Sequence, residues 1–178
     1  MDFATGSYLA DAGGVVMRNV ISKEVQFDAG HRVPNHTSKC RNPHGHRYRV
    51  VAHCQGDIIR DPDHPSDGML IDFGRLKDFL NEIHDEFDHG FIVHRDDEPM
   101  RYALGIDVQQ KFPEEPLGHS LDLWKVIVVG FVPTAENLAG YIFGKVDTMI
   151  AQEFKPNHLE LCQVDVWETP TSMASCHR

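Results

Sequence analysis

Residues 40 to 46 read Cys-Arg-Asn-Pro-His-Gly-His, a thiol and two imidazoles in a pattern that indicates metal-dependent chemistry. His44 and His46 are separated by one glycine, and residues i and i+2 of an extended chain point to the same side. A third imidazole, His31, lies nine residues before Cys40. Three neutral imidazoles leave the fourth position of a tetrahedral zinc ion open, as in catalytic zinc sites. Iron, nickel and copper also accept imidazole ligands.

An ordinary polar turn explains a lone His-x-His pair equally well. The upstream His31 and the nearby Cys40 favour the metal site. We do not count Cys40 as a ligand, because a fourth protein ligand would close the site to substrate. A thiol beside a metal-bound substrate is better placed as a base, which is a hypothesis at this point.

Two strands are predicted to carry the histidines. From Ile21 to His31 every second residue is mostly apolar, and this face ends in His31. From His44 to Cys54 the alternating face begins with His44 and His46 and continues with apolar residues. We expect the two strands to pair antiparallel.

A loop and an amphipathic helix follow. Residues 57–68 contain two prolines, four aspartates and a glycine, which is turn chemistry. After Asp72, the expected N-cap, apolar residues recur at helical spacing up to Phe87. Asp88 and His89 then lie just past the last helical turn, where the chain changes direction.

The second half of the chain predicts two strands and a helix after an irregular excursion at residues 94–122. Residues 124–131 form an apolar β-branched run, and Thr134 should cap the second amphipathic helix. In the last strand, residues 159–168, the pattern places Cys162, Val164 and Val166 on one face together with Glu168. A carboxylate on an apolar face needs either water or a partner, and the sequence favours neither.

Composition and charge limit the class of protein. The chain has 178 residues, 41% hydrophobic and 25% charged, which fits one globular domain after a flexible extension at residues 1–19. Its four cysteines form no Cys-x-x-Cys pair, and no apolar segment approaches the roughly 20 residues that span a bilayer. We therefore expect a cytoplasmic protein that is not bound to a membrane.

The net charge of −10 argues against general nucleic-acid binding, which requires a basic face. Basic residues nevertheless concentrate around the histidines, where they could attract a small polyanion or simply form a solvated strand face. These residues are Lys23, Arg32, Lys39, Arg41, Arg47 and Arg49.

Six segments in order resemble the 6-pyruvoyltetrahydropterin synthase and 6-carboxytetrahydropterin synthase family, over roughly residues 20 to 170. They are Phe27-Asp28-Ala29-Gly30-His31-Arg32, Cys40 to His46, Met69-Leu70-Ile71-Asp72-Phe73, Asp88-His89, Pro133-Thr134-Ala135-Glu136-Asn137 and Val166-Trp167-Glu168-Thr169. The resemblance implies an α+β tunnelling fold, in which a four-stranded antiparallel sheet carries two helices on one face. It also implies ring-forming subunits, usually a hexamer of two trimers, with active sites between subunits.

The resemblance implies a zinc site and its base. His31, His44 and His46 match the family's zinc ligands, and Cys40 matches its catalytic cysteine. The implied substrate is 7,8-dihydroneopterin triphosphate, and no nicotinamide is required.

The same resemblance implies the remaining site residues. Asp88 and His89 match the partner pair of the catalytic cysteine, and Glu168 matches the glutamate that anchors the pterin. Thr134 and Glu136 fall in a motif that lines the pterin pocket. A helix cap and a first-turn acid explain those two residues adequately as well.

Two branches of the family share this substrate. The Cys-x-x-x-His-Gly-His spacing resembles the bacterial carboxy-forming lyases of queuosine and 7-deazapurine biosynthesis, which release acetaldehyde and triphosphate. The alternatives are the pyruvoyl-forming synthase, which releases no acetaldehyde, and a zinc-stabilised binding protein without turnover, in which Cys40 would be a fourth ligand.

Overall fold

The computed structural model describes residues 18–106, 109, 117–121, 124–154 and 158–178. Of the predicted extension at residues 1–19, residues 1–17 lie outside this described part. Among the described residues, no helix is long and apolar enough to cross a membrane.

The first two strands form the predicted antiparallel pair. Strand β1 (Asn19–His31) and strand β2 (His44–Gly56) pair along their whole length, with His31 opposite His44 and Ala29 opposite His46. The connection between them contains a 3₁₀ turn at Lys39–Arg41. The pairing therefore brings all three histidines to one end of the hairpin.

The described strands form one mixed, seven-stranded sheet, so the prediction of a four-stranded antiparallel sheet is wrong. Its order is β4-β5-β3-β1-β2-β6-β7, and β1, β3 and β5 are parallel while the other neighbours are antiparallel. The further strands are β3 (Gly90–His94), β4 (Leu117–Leu121), β5 (Trp124–Val129), β6 (Leu159–Thr169) and β7 (Ser172–His177). The sequence prediction missed β3, β4 and β7. The α+β class is confirmed.

Two long helices, α1 (Phe73–Phe87) and α3 (Ala135–Glu153), pack against one face of the sheet, as expected. Asp72 caps α1, because its side chain accepts a hydrogen bond from the Gly74 N–H at 2.6 Å. Thr134 caps α3 by accepting from the Asn137 N–H at 3.4 Å. Both predicted N-caps are confirmed.

The predicted excursion contains the short helix α2 (Glu98–Ala103) and strand β4. A second, smaller apolar cluster packs α2 against the sheet face opposite the long helices. Adjacent residues of β3 belong to different clusters, because Ile92 faces the core under the long helices and Val93 faces the smaller cluster. The cluster consists of Val93, Ile106, Val126 and Val128, with Met100 and Leu104 packed against it.

Strand β6 contains a bulge that overturns one prediction. His53 pairs with Gln163 and Cys54 with Leu161, so Cys162 has no partner in the ladder. Leu161 and Val164 are both buried, whereas Cys162 is only half-buried and lies close to the His53 carbonyl oxygen, with Sγ at 3.2 Å. Cys162 therefore does not share the face of Val164 and Val166, because the extra residue shifts the alternation.

Two glycine substitutions should have opposite effects on stability. A Cβ at Gly56 would lie 2.2 Å from the His158 carbonyl oxygen, so Gly56→Ala forces backbone atoms apart and should destabilise by about 1–3 kcal/mol. Gly140 is exposed in α3 with open space around it, and Gly140→Ala should stabilise by about 0.5–1 kcal/mol. Urea unfolding midpoints measure both, and equal midpoints would contradict the β2–β6 register.

Candidate active site

The three histidines of the hairpin converge on one point. His31 ends β1, and His44 and His46 open β2 on the same side of the sheet. One ring nitrogen from each lies within 4.8 Å of the others. Among the described residues, this set contains three imidazoles and no thiol. The convergence predicted from the sequence is thus present.

Backbone carbonyls orient two of the rings. The Nδ1 of His31 lies 2.6 Å from the Pro133 carbonyl oxygen, and the Nδ1 of His44 lies 2.8 Å from that of Asn42. A carbonyl can only accept a hydrogen bond, so in the neutral rings each Nδ1 carries the proton and each Nε2 keeps its lone pair. Metal-ligating histidines are commonly held in this way.

Two ring nitrogens in the cluster are buried and unsatisfied. The Nε2 atoms of His31 and His46 have no hydrogen-bond partner, and the His31 ring is 1% exposed. Burial lowers the pKa of both His31 and His46, which keeps the rings neutral at neutral pH. Buried nitrogens without partners cost free energy, and a cation bound to their lone pairs offsets that cost. The donor set fits a metal ion.

A cavity of about 220 Å³ adjoins the cluster and brings several candidate residues together. Its lining includes His31, Cys40, Thr134, Glu136 and Glu168. The Oε1 of Glu168 lies 3.5 Å from the His31 Nε2 and 3.9 Å from the His46 Nε2. The carboxylate is also 27% exposed, so Glu168 reaches both solvent and the imidazoles.

Cys40 sits in the 3₁₀ turn between the two histidine strands. Its carbonyl oxygen accepts a hydrogen bond from the Val33 N–H at 2.9 Å, which closes the loop after β1. The thiol is half-buried and forms no disulfide. The turn thus presents a free thiol to the cavity that adjoins the histidines.

Asp88 and His89 form a tightly held pair at the end of α1. The His89 Nδ1 lies 2.6 Å from the Asp88 Oδ2, and the Asp88 Oδ1 accepts from the Asp28 N–H at 2.9 Å. This backbone hydrogen bond is the main reason that the pKa of Asp88 is lowered. His89 has a left-handed backbone, φ 57°, fixed by its N–H donating to the Asp28 carbonyl.

In the described part of the chain, His89 and Cys40 line different cavities. His89 lines a cavity of about 520 Å³ with Asp28, Arg47 and the cluster residue His46. Each of the two cavities is therefore lined by one imidazole of the cluster, His46 in the first and His31 in the second.

Carboxylates partly neutralise the basic residues around the histidines. Bidentate contacts join Arg32 to Asp97 and Arg47 to Asp28. Arg49 likewise donates to Glu24. The local positive field is accordingly weaker than a count of these cations suggests.

Sequence reasoning missed three contributors to the site. The carbonyls of Pro133 and Asn42 carry no side-chain signal, so no pattern of residue types could identify them. Tyr48 had a signal, because it follows His44 and His46 at the same alternation. The Tyr48 ring is fully buried, and its centroid lies 5.9 Å from that of the His31 ring and 5.7 Å from that of the His46 ring. Burial raises the pKa of its hydroxyl.

Comparison with known proteins identifies relatives that are named as tetrahydropterin synthases. The family model described as 6-pyruvoyl tetrahydropterin synthase matches residues 20–178. A Haemophilus influenzae protein named 6-carboxy-5,6,7,8-tetrahydropterin synthase is 32% identical over 153 residues, covering 85% of this chain and 94% of that protein. A Synechocystis protein of the same name is 34% identical over 156 residues, covering 87% and 90%.

Solved structures share the fold. An uncharacterized protein from Wolinella succinogenes superimposes with a TM-score of 0.74 and 25% identity, covering 92% of this chain and 99% of that one. The 6-pyruvoyl tetrahydropterin synthase of Caenorhabditis elegans gives a TM-score of 0.57 with 21% identity, covering 91% and 96%.

Substitution of one imidazole should abolish tight metal binding. We expect His46→Ala to weaken zinc affinity by more than the roughly 10- to 100-fold that loss of a supporting partner costs, because it removes a ligand. His36 lines the same cavity outside the cluster, and His36→Ala is the matched control with unchanged affinity. Calorimetric titration of metal-free protein with zinc measures both, and equal affinities would contradict the site.

Proposed function

This chain belongs to the 6-pyruvoyl tetrahydropterin synthase family, and on that basis we propose that it is a zinc-dependent lyase. The proposed reaction converts 7,8-dihydroneopterin triphosphate and one water molecule to 6-carboxy-5,6,7,8-tetrahydropterin, acetaldehyde and triphosphate. The observation that carries the proposal is the convergence of three imidazoles beside a cavity lined by both Cys40 and Glu168.

The names of the relatives favour the carboxy-forming branch. The Haemophilus influenzae and Synechocystis proteins are both named for the carboxy product. The Cys-x-x-x-His-Gly-His spacing agrees with that branch. The product would then serve the synthesis of queuosine or another 7-deazapurine.

The metal would be held by His31, His44 and His46 through nitrogens whose lone pairs are free. Zinc bound there supplies a Lewis acid that increases the acidity of protons next to substrate oxygens. The carbonyls of Pro133 and Asn42 keep the His31 and His44 rings in the required tautomer.

Glu168 would anchor the pterin ring. A carboxylate can accept two parallel hydrogen bonds from the ring's 2-amino group and the adjacent N–H. Its half-exposed position beside the histidines would hold the substrate side chain near the metal. Glu136 and Thr134 line the same cavity. Thr134 is already used as the cap of α3, so its contribution to binding is secondary.

Two proton-transfer groups are available. The Cys40 thiolate would remove a carbon-bound proton from the side chain of the substrate, and His89 would move a proton on the opposite face. Asp88 holds the His89 Nδ1, which leaves Nε2 free to exchange protons. The ring is reduced to the tetrahydro level as the side chain is oxidised, so no external reductant is needed.

Because Cys40 and His89 line separate cavities, we propose that one active site takes these residues from two subunits. A ring-forming oligomer, a hexamer of two trimers, would bring the His89 of one subunit to the Cys40 of its neighbour. Sedimentation analysis of the purified protein measures the assembly, and a monomer with full turnover would overturn this part of the proposal.

The direct test is incubation of zinc-loaded protein with 7,8-dihydroneopterin triphosphate, followed by mass spectrometry of the pterins and an acetaldehyde assay. Carboxytetrahydropterin with acetaldehyde supports the proposal. A pyruvoyl product without acetaldehyde assigns the other branch, and unchanged substrate returns weight to a zinc-stabilised binding protein.

Cys40→Ala should separate catalysis from metal binding. We expect it to keep the zinc content of the wild type and to lose roughly 10²- to 10⁴-fold in kcat, the usual contribution of an acid–base group. Cys176→Ala, in β7, is the matched control with unchanged turnover. Metal analysis and kinetics measure both variants. Loss of zinc from Cys40→Ala would show that the thiol is a ligand and would favour the binding protein.

A further inference from the structure

We propose that Arg32 and Asp97 form a positioning pair that holds the turn carrying Cys40, an inference that depends on the proposed function for its catalytic consequence. The pair links that turn to the start of α2. Helix α2 lies in the excursion at residues 94–122, for which the sequence predicts no function. Nothing in the proposed chemistry requires either residue to touch the substrate.

The contact between the two side chains is bidentate. The Arg32 Nε donates to the Asp97 Oδ2 at 2.6 Å, and Nη2 donates to Oδ1 at 2.6 Å. The Asp97 carboxylate is 1% exposed, and the Arg32 side chain is 21% exposed. Paired guanidinium and carboxylate groups in this geometry fix each other's orientation, and their partial burial reduces screening by solvent.

The remaining arm of the guanidinium reaches the Cys40 turn. With Nε and Nη2 bound to Asp97, Nη1 donates to the Arg41 carbonyl oxygen at 3.2 Å. The neighbouring Val33 N–H donates to the Cys40 carbonyl. Two consecutive residues after β1 therefore hold two consecutive carbonyls of the turn.

Packing contributes little to the position of this turn. None of its three residues, 39–41, is buried, so hydrogen bonds within the turn and to the segment after β1 restrain it. Loss of the Arg32 contact would leave the Val33 hydrogen bond as the link between the turn and the segment after β1.

Asp97 is itself firmly placed. Its carboxylate accepts from the Met100 N–H at 3.2 Å as the N-cap of α2, and its own N–H donates to the His94 carbonyl at 2.9 Å. Through Met100 and Leu104, α2 packs on the sheet. The sheet thus supports α2, α2 supports Asp97, and Asp97 orients Arg32 toward the turn.

The test uses two variants that break the pair in different ways. Asp97→Ser keeps an N-cap oxygen for α2 but is too short for the bidentate contact with Arg32. Arg32→Lys keeps the positive charge, but a single ammonium cannot reproduce the guanidinium fork. Glu153→Gln is the matched control, because it removes a carboxylate from the Arg75 pair between α1 and α3.

The first readout is steady-state kinetics of the zinc-loaded protein. We expect Asp97→Ser and Arg32→Lys to lower kcat by about 10- to 100-fold, the scale of a misplacement near 1 Å, with little change in KM or zinc content. Glu153→Gln should leave all three quantities unchanged.

The second readout does not depend on turnover. We expect iodoacetamide to alkylate Cys40 faster in both variants than in the wild type, since the loosened turn exposes the thiol, while the rate at Cys176 stays the same. Peptide mass spectrometry resolves the two sites. If the wild type has no activity with the pterin substrate, the proposed function fails and this readout alone decides the positioning role.

Three results would overturn the positioning role. One is an unchanged alkylation rate at Cys40 in folded variants, and another is an unchanged kcat in an active enzyme. The third is a loss of activity that follows a loss of zinc, because the pair would then support His31 and not the turn. If Asp97→Ser fails to fold by circular dichroism, Arg32→Lys gives the answer.

Discussion

The register between β1 and β2 is the constraint on which the rest of the structure depends. It places His31 opposite His44, and it buries Phe27 and Tyr48 on the same face. A slip of one residue would turn every side chain of a strand to the other face. The core and the histidine cluster therefore share one periodicity, so that the packing that stabilises the domain also holds the imidazoles together. A change in the β1–β2 register would disrupt both the core and the histidine cluster.

Main-chain groups orient the side chains that the β1–β2 register brings together. Carbonyls of Pro133 and Asn42 select the tautomers of two imidazoles, and the Asp28 N–H fixes the carboxylate of Asp88. Pro133 lies just before the capped start of α3, so the position of that helix sets the orientation of His31. These groups depend on the backbone path and not on residue type. The site is consequently determined by the whole fold as much as by its side chains.

Local patterns in the sequence predicted the parts of the fold that have a local cause. Alternation identified β1 and β2, and the Asp72 and Thr134 caps gave the starts of the long helices. Strand β3 was not predicted because both of its faces are buried, with Ile92 in one cluster and Val93 in the other. Its sequence therefore does not alternate between apolar and polar residues.

Contacts between distant segments left no signal of this kind. Arg32 and Asp97 are 65 residues apart, and the bulge at Cys162 depends on how β2 lies beside β6. The convergence of the histidines was predictable because two of them are adjacent in a strand. The position of Cys40 beside the histidines suggested a base, whereas the role of Asp88 came only from the resemblance to a family. His89 is 80% exposed and is held in a left-handed conformation that costs about 1–3 kcal/mol. An exposed imidazole held beside an anchored carboxylate is what the proposal of an active site shared between two subunits requires of His89.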